Sequence, residues 1–512
     1  MHCYSSGNQR PVERATMLRI ARRTLRVSIC AAIALAGCAQ HTEELELNPE
    51  AWAPPAVGRE WAPVRGSSEV VGSATEVAAL SDMPSSEQGR RLGLDELINF
   101  ALARNPGTRR AWDEAQGAAA TAASARASYY PAVSVESDNG YQRLVDLVPK
   151  HWGTLKAWQS RSLVSMDYDL IDFGRRDAQA ASALNQLVAA NLIFNRQVQQ
   201  VVFDVERGYY EVDAARANVT ASEAAAKLAS TDRTNAERRQ HNGLATQPDV
   251  LLARQREAQA EFDLENARLG VSLAQADLAV ALGIRADEAP EVEPLTDQPL
   301  PKSLGTDVDQ LIDEAVRERP DLAAKVSAVR TRQADEALAR AAFYPTIGIT
   351  SFYGEEAFNY KLSNPPTTTF TAMAPEYGAG VTLKWDIFTG FSRLNSLKQS
   401  EAAQDAARAD LESAEIDVAA NVWRAYYSYR TARRKYDYAQ ALLAASQSSY
   451  DSNVKSYGHG LATIIDLLSA ERELATARYT IIQSKADLLV SAAAVTFATG
   501  AIPAAAAPAA SP

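Results

Sequence analysis

Two stretches of this chain carry helix-type periodicity over an unusual length. Between about 175 and 239, apolar or small residues recur three and four apart, at Leu184, Leu187, Phe194, Val198, Val201, Val205, Gly208 and Val212. That stretch has no proline and no other interior glycine. Between about 393 and 456 the spacing returns at Leu411, Ala414, Val418, Ala425 and Tyr429. A helix of some 65 residues is roughly 100 Å long, more than a globular domain needs. Alanine lets such helices approach closely, and charged residues cover the remaining faces. This period by itself leaves an extended coiled coil open.

A second pattern, of period two, precedes each long helix. Val164, Met166, Tyr168 and Leu170 alternate with Ser165, Asp167 and Asp169. Ala379, Val381, Leu383, Trp385 and Ile387 alternate with Gly380, Thr382, Lys384 and Asp386. Partner strands start after Pro131, with Val133 and Val135, and after Pro345, with Ile347 and Ile349. These predict four strands of about ten residues, each with one apolar and one polar face. That is the length a tilted strand needs to cross hydrocarbon. Four strands cannot close a barrel, and open edges are not tolerated in lipid. If the strands lie in a membrane, several chains must combine.

The two patterns belong to a repeat. DELINFALARNP (95–106) returns as DQLIDEAVRERP (309–320), and ARASYYP (125–131) as ARAAFYP (339–345), both offset by 214. DVERGYY (204–210) matches NVWRAYY (421–427), NGLATQPDVL (242–251) matches HGLATIIDLL (459–468), and Gly283 matches Gly500, all offset by 217. The chain therefore divides into a first repeat, 93–284, a Pro- and acid-rich linker, 285–307, and a second repeat, 308–500. Residues 38–92 read as an extended lead-in and 501–512 as a disordered tail. The two repeats predict a pseudo-twofold arrangement of equivalent elements.

Composition changes the picture mainly at the front. Residues 1–37 read as a secretory signal, with Arg19, Arg22, Arg23 and Arg26 before the short apolar run Val27–Ala36. Met1 or Met17 starts it. Its end, Leu35-Ala36-Gly37-Cys38, resembles a bacterial lipobox, which implies a covalent lipid on Cys38 and no other cofactor. The following Ala39 fits sorting to the outer membrane. No cysteine follows Cys38, so disulfides and thiolate metal sites are excluded from the body. The whole chain carries a net charge of −11, and loss of the arginine-rich signal makes it more acidic. Nucleic acid is not an expected partner. The body shows no apolar run of transmembrane-helix length.

Repeats, strands and helices together resemble the TolC-type outer-membrane efflux channels, the outer-membrane factor family, in its lipoprotein-like branch. The resemblance covers about 93–500. Its carriers are the duplicated blocks, the passages YDLIDFGRR (168–176) and WDIFTGFSR (385–393), and the two GLAT turns. It implies a mainly α, mixed fold with four transmembrane β-strands and very long α-helices per chain. Three copies would form a 12-stranded barrel on a periplasmic helical tunnel, anchored in outer-membrane lipid of a Gram-negative bacterium. The segments 143–160 and 357–375 would be outward-facing loops, and the linker and shorter helices a girdle. The implied function is the exit duct of a tripartite efflux or secretion system. Its implied partners are a periplasmic adaptor (membrane fusion) protein and an inner-membrane transporter, with no catalysis of its own.

The resemblance also marks the tips. The turns at Gly243 and Gly460 join long helices, where a tight turn favours positive φ. Gly243, Leu244, Ala245, Gly460, Leu461 and Ala462 map to the adaptor-contact tips. Asp466 maps to an acidic constriction, and Tyr457 with Asp249 to a hydrogen-bonded closing latch. This chain has Ser469 where a second acid is frequent and Ala462 where a basic latch partner stands. From the residues alone, Asp249 and Asp466 read equally well as first-turn carboxylates complementing a helix dipole.

A competing reading is a lipid-anchored periplasmic coiled-coil scaffold or adaptor without a channel. It accounts for the helices but not for four amphipathic strands in step with the repeat. An enzyme finds no support in the motifs. The five histidines, His2, His41, His151, His241 and His459, have no metal-ligand spacing, so no metal site is expected.

Overall fold

A computed structural model describes residues 90–148, 151–294, 307–362 and 369–501. The signal, Cys38, nearly all of the lead-in, residues 295–306 of the linker and residues 502–512 lie outside the described residues. The elements run β1 (Arg91–Leu92), α1 (Leu94–Arg104), α2 (Pro106–Arg126), β2 (Ala132–Val148), β3 (His151–Ile171), α3 (Arg175–His241) and α4 (Gln247–Leu282). They continue with β4 (Glu291–Val292), α5 (Val308–Glu318), α6 (Pro320–Ala341), β5 (Thr346–Leu362), β6 (Thr369–Lys384), α7 (Ser392–Gly458) and α8 (Ile464–Thr499). Each half thus has the same order, and α2 and α6 both open on a proline, which suits the first helical turn.

The four long strands form one antiparallel sheet in the order β2-β3-β5-β6. Register aligns Val135, Val164, Tyr353 and Tyr377 in one row across the sheet. Nearer the helices, Tyr168, Ile349 and Val381 form another row of the same face. Val135, Tyr353, Tyr377, Val381 and Leu383 on this face are exposed in the single chain. The opposite face is mostly polar, with Leu163 and Phe352 packed over Gly354 and Gly378. There Arg161 donates twice to Glu376 at 2.8 and 2.7 Å, Gln159 donates to Glu356, and the Ser134 and Ser165 hydroxyls bond at 2.7 Å.

Three expectations are corrected here. The strands are 16 to 21 residues long rather than about ten. The segments 143–160 and 357–375 are largely strand, not loop, because the backbone ladder continues past Ser162 and Glu355, where the apolar alternation stops. At about 3.3 Å per residue each hairpin outreaches the hydrocarbon layer and projects beyond it. Trp385 and Ile387 lie past the end of β6. The Trp385 indole N–H donates instead to the Phe343 carbonyl at 3.1 Å, where sheet meets helix.

The passages into the long helices are sharp bends. Phe173 and Gly174 have φ of 54° and 85°, and Gly390 and Phe391 have 61° and 66°. A left-handed phenylalanine is strained, and contacts hold each one. Phe173 stacks on Tyr344 at 5.3 Å, while Phe391 meets Phe388 edge-on at 5.7 Å.

The helices follow the order of the strands. α2 packs on α3, α3 on α6, and α6 on α7, while α4 returns along α3 and α8 along α7. The core lies at mid-height. Leu97 and Ile98 of α1 pack with Phe194, Val198, Val205 and Val212 of α3 and with Leu278 and Leu282 of α4. Leu311, Ala315 and Leu322 pack with Val418, Val422 and Tyr429 of α7 and with Leu488 and Val495 of α8. β1 pairs in parallel with β4, and the Tyr209 hydroxyl donates to the Glu293 carbonyl at 2.8 Å, tying the linker to the waist of α3. The described start of the linker and the short helices thus sit at the middle of the long ones. By length and composition α8 is apolar enough to cross a membrane, unlike the expectation above. Its alanines and leucines are instead consumed by packing, with Leu488, Leu489 and Val495 buried.

Candidate functional site

The far ends of the two helical hairpins are built almost identically. After α3, the Leu244 N–H donates to the Arg239 carbonyl at 2.7 Å and the Gly243 N–H to the Gln240 carbonyl at 2.9 Å. After α7, the Leu461 N–H donates to Ser456 at 2.8 Å and the Gly460 N–H to Tyr457 at 3.1 Å. Both glycines are left-handed, with φ of 70° and 72°. This glycine-terminated helix end satisfies carbonyls that would otherwise lack partners. The return helices start on Thr246 and Thr463, each in a reciprocal cap with the acid three residues on.

Those caps settle where the two acids point. Asp249 Oδ2 accepts from the Thr246 backbone N–H and hydroxyl, both at 2.8 Å. Asp466 Oδ2 accepts from the Thr463 N–H at 2.9 Å and its hydroxyl at 2.6 Å. The Thr463 bonds hold the Asp466 carboxyl below the usual carboxylate range. Asp466 is therefore an exposed, ionised carboxylate at the end of the hairpin. Leu244 is 68 % exposed and Leu461 83 %, with Ala245 and Ala462 half-buried behind them.

Beneath the turns the two hairpins meet. Ala236, Val250 and Ala253 pack with Ile464 and Leu468, and Tyr457 borders this cluster. The Tyr457 ring lies under the Arg239 guanidinium, 4.5 Å from its centroid. Burial pushes its hydroxyl up. In the single chain the Asp249 carboxylate faces its own Thr246 rather than the Tyr457 hydroxyl. Sequence reasoning missed Arg239. It supplies a basic group at Tyr457 from the other hairpin, where Ala462 offers none. The residues that bring it there are 218 positions apart, so no local signal could have found it. A further network, Arg233 with Glu237 at 2.9 Å and Glu257 at 2.6 Å, and Arg254 with Glu237 at 2.9 Å, staples α3 to α4 just above.

An open amphipathic sheet continuing into helical hairpins about 100 Å long, with ordered caps at the far end, defines the subunit of an outer-membrane channel with a long helical extension. The chain belongs to the outer membrane efflux protein family, whose sequence profile matches residues 97–284 and 311–501. It is 26 % identical to protein CyaE of Bordetella pertussis over 424 residues, 81 % of this chain and 86 % of that one. It is 25 % identical to outer membrane protein OprJ of Pseudomonas aeruginosa over 384 residues, covering 74 % and 78 %. Its fold is similar to that of the outer membrane protein VceC from Vibrio cholerae, with a TM-score of 0.69 at 21 % identity, covering 80 % and 96 %. The family consists of channel proteins of the Gram-negative outer membrane.

Proposed function

We propose that three copies of this chain form one closed wall, a β-barrel in the outer membrane continued by a helical tunnel in the periplasm. The wall serves as the exit duct of a tripartite efflux or secretion system. One observation carries the reading. Strands and helices share a single lateral order, β2-β3-β5-β6 over α2-α3-α6-α7, and both layers stop at open edges. A wall segment with the same two edges at both levels joins its neighbours by one operation. The edge helix α7 supports this, since Ile416, Trp423, Tyr438 and Leu442 are exposed along it. So does α4, with Phe262, Leu269, Leu273 and Val280 at spacings of seven and four.

The body is free of cysteine, so introduced thiols report cleanly. Cysteine pairs with one member in β2 and one in β6 should yield covalent trimers on oxidation of outer membranes. Monomers throughout such a panel would contradict the wall.

Within this reading the exposed Leu244 and Leu461, backed by Ala245 and Ala462, are the contact for a periplasmic adaptor, which links the duct to an inner-membrane transporter. Three Asp466 carboxylates around a threefold axis narrow the entrance and favour cations. Tyr457 with Asp249 contributes to holding the closed state, and Arg239 covers the Tyr457 ring. The duct moves its substrates without catalysing a reaction. Unchanged bilayer conductance after Tyr457→Phe with Asp466→Ala would reject the gating role. The lipid on Cys38 is an added anchor. β1 lies about 50 Å down α3 from the sheet, and some 53 residues of lead-in can reach more than three times as far. Cys38→Ser should impair delivery more than it alters the pore; a soluble periplasmic variant would make the lipid the sole attachment.

A further inference from the structure

About five residues up α8 from Asp466, four helices converge on a buried ionic group that the caps do not involve. Glu471 of α8 is 2 % exposed. It faces Asp232 of α3, Arg256 of α4 and Tyr450 of α7. Arg256 Nε stands 3.8 Å from Glu471 Oε1, within ion-pair range but too far for a hydrogen bond. Both Glu471 oxygens and Asp232 Oδ2 are buried without a donor. Yet the two carboxyls are neighbours, close enough for each to shift the other's titration. Two acceptors can bond only through a proton that one of them holds. One arginine, two acids and one proton also make the group neutral, the arrangement burial favours.

The other charges nearby have their own partners. Arg233, Glu237, Arg254 and Glu257 close their own network on α3 and α4. Arg239 covers Tyr457, while Asp451 and Arg478 flank Tyr450. No third carboxylate or imidazole joins the pair, so it makes no metal site among the described residues.

We propose that Asp232 and Glu471 share one proton and act as a clasp, holding the α3–α4 and α7–α8 hairpins of each protomer together near the tip. Loss of the proton sets two buried carboxylates against a single Arg256 and lets the hairpins part. In the duct proposed above, on which the functional meaning rests, parting is the first step of opening the entrance. Burial pushes the Glu471 carboxyl up to about 7, from 4.5, and raises Asp232 as well. A raised carboxyl favours the packed state most below its free value. The preference is lost as pH rises through the packed-state value, here between about 4.5 and 7. Between pH 6 and 8 this shifts the packed-to-parted ratio about tenfold toward the parted state.

Amide exchange of the full-length trimer, corrected for intrinsic rates, reads this directly. Protection of residues 464–475 should fall about tenfold from pH 6 to 8. Glu471→Gln and Asp232→Asn should each flatten that step, since either leaves one acid to one arginine. A wild-type protein without the step, or an unchanged step in Asp232→Asn, overturns the clasp. Asp232→Asn is the milder change at the less buried end, so it decides the matter if Glu471→Gln does not assemble. Conductance on the same samples separates the two proposals. A step without current fails the channel and keeps the clasp; current without a step does the reverse.

Discussion

Helices α3 and α7 are equivalent by sequence repeat and equal in length at 67 residues, yet they meet different surroundings. In the single chain 20 residues of α3 are buried and only 7 of α7. α3 is the spine, packed by α1, α2, α4, α6 and α8. α7 is an edge, touched by α5, α6 and α8 on one side. The repeat pair Glu206 and Trp423 shows it locally, a carboxylate under cover on the spine and an indole 48 % exposed on the edge. Burial pushes the Glu206 carboxyl up to about 7. Duplication supplied two similar helices, and the lateral place of each decided how much of it the single chain covers.

The strongest way to break this contrast is to damage the spine. Phe194 is wholly buried, and Phe194→Ala should cost about 3–5 kcal/mol. Denaturant unfolding of the detergent-solubilised protein measures it. The next effect belongs to Gly208, where an added Cβ would lie 3.2 Å from the Leu278 backbone. Gly208→Val should destabilise by about 1–3 kcal/mol, whereas the repeat partner position on α7 already carries Ala425. Charging the edge should act differently. Trp423→Glu should leave monomer stability within about 0.5 kcal/mol but abolish heat-resistant trimers on gels. If it unfolds the monomer, α7 is a second spine and the contrast fails.

The tips test the opposite claim, that the halves are alike there. Thr246→Ala and Thr463→Ala should cost about the same, on the order of 1 kcal/mol each. The Asp466 cap is fully present above the ordinary carboxylate range and weakens only as pH falls below about 4. In conductance, however, the two should differ in kind: Asp466→Asn should change the current and cation preference of the pore, and Asp249→Asn only how often it is closed. Equal effects would mean both acids serve the caps alone.

Much of this was legible in the residues. The long helices show because proline is absent and small residues recur at helical spacing. The tips show because glycine, threonine and aspartate occupy fixed offsets in GLAT-x-x-D. Strand existence was legible and strand extent was not. Alternation marks only the part of a strand that faces two different media; Ser160 and Ser162 interrupt the apolar face, and the isolated pair Tyr141 and Trp158 follows on it. The bend at Phe173 was hidden because the ring that holds it, Tyr344, comes from the other half, and the bend at Phe391 because Phe388 meets it edge-on only once the chain has turned. Arg239 on Tyr457 and Asp232 beside Glu471 were hidden for a related reason. Each joins two helices from different repeats, and a charged residue on a long helix reads as solvated until its neighbours are known.

Thiol accessibility at position 423 tests the wall most directly. Trp423→Cys should resist a water-soluble maleimide in intact outer membranes and react freely once the protein is dissociated to monomers. Equal labelling in both states would leave α7 facing water in the assembly and contradict the account.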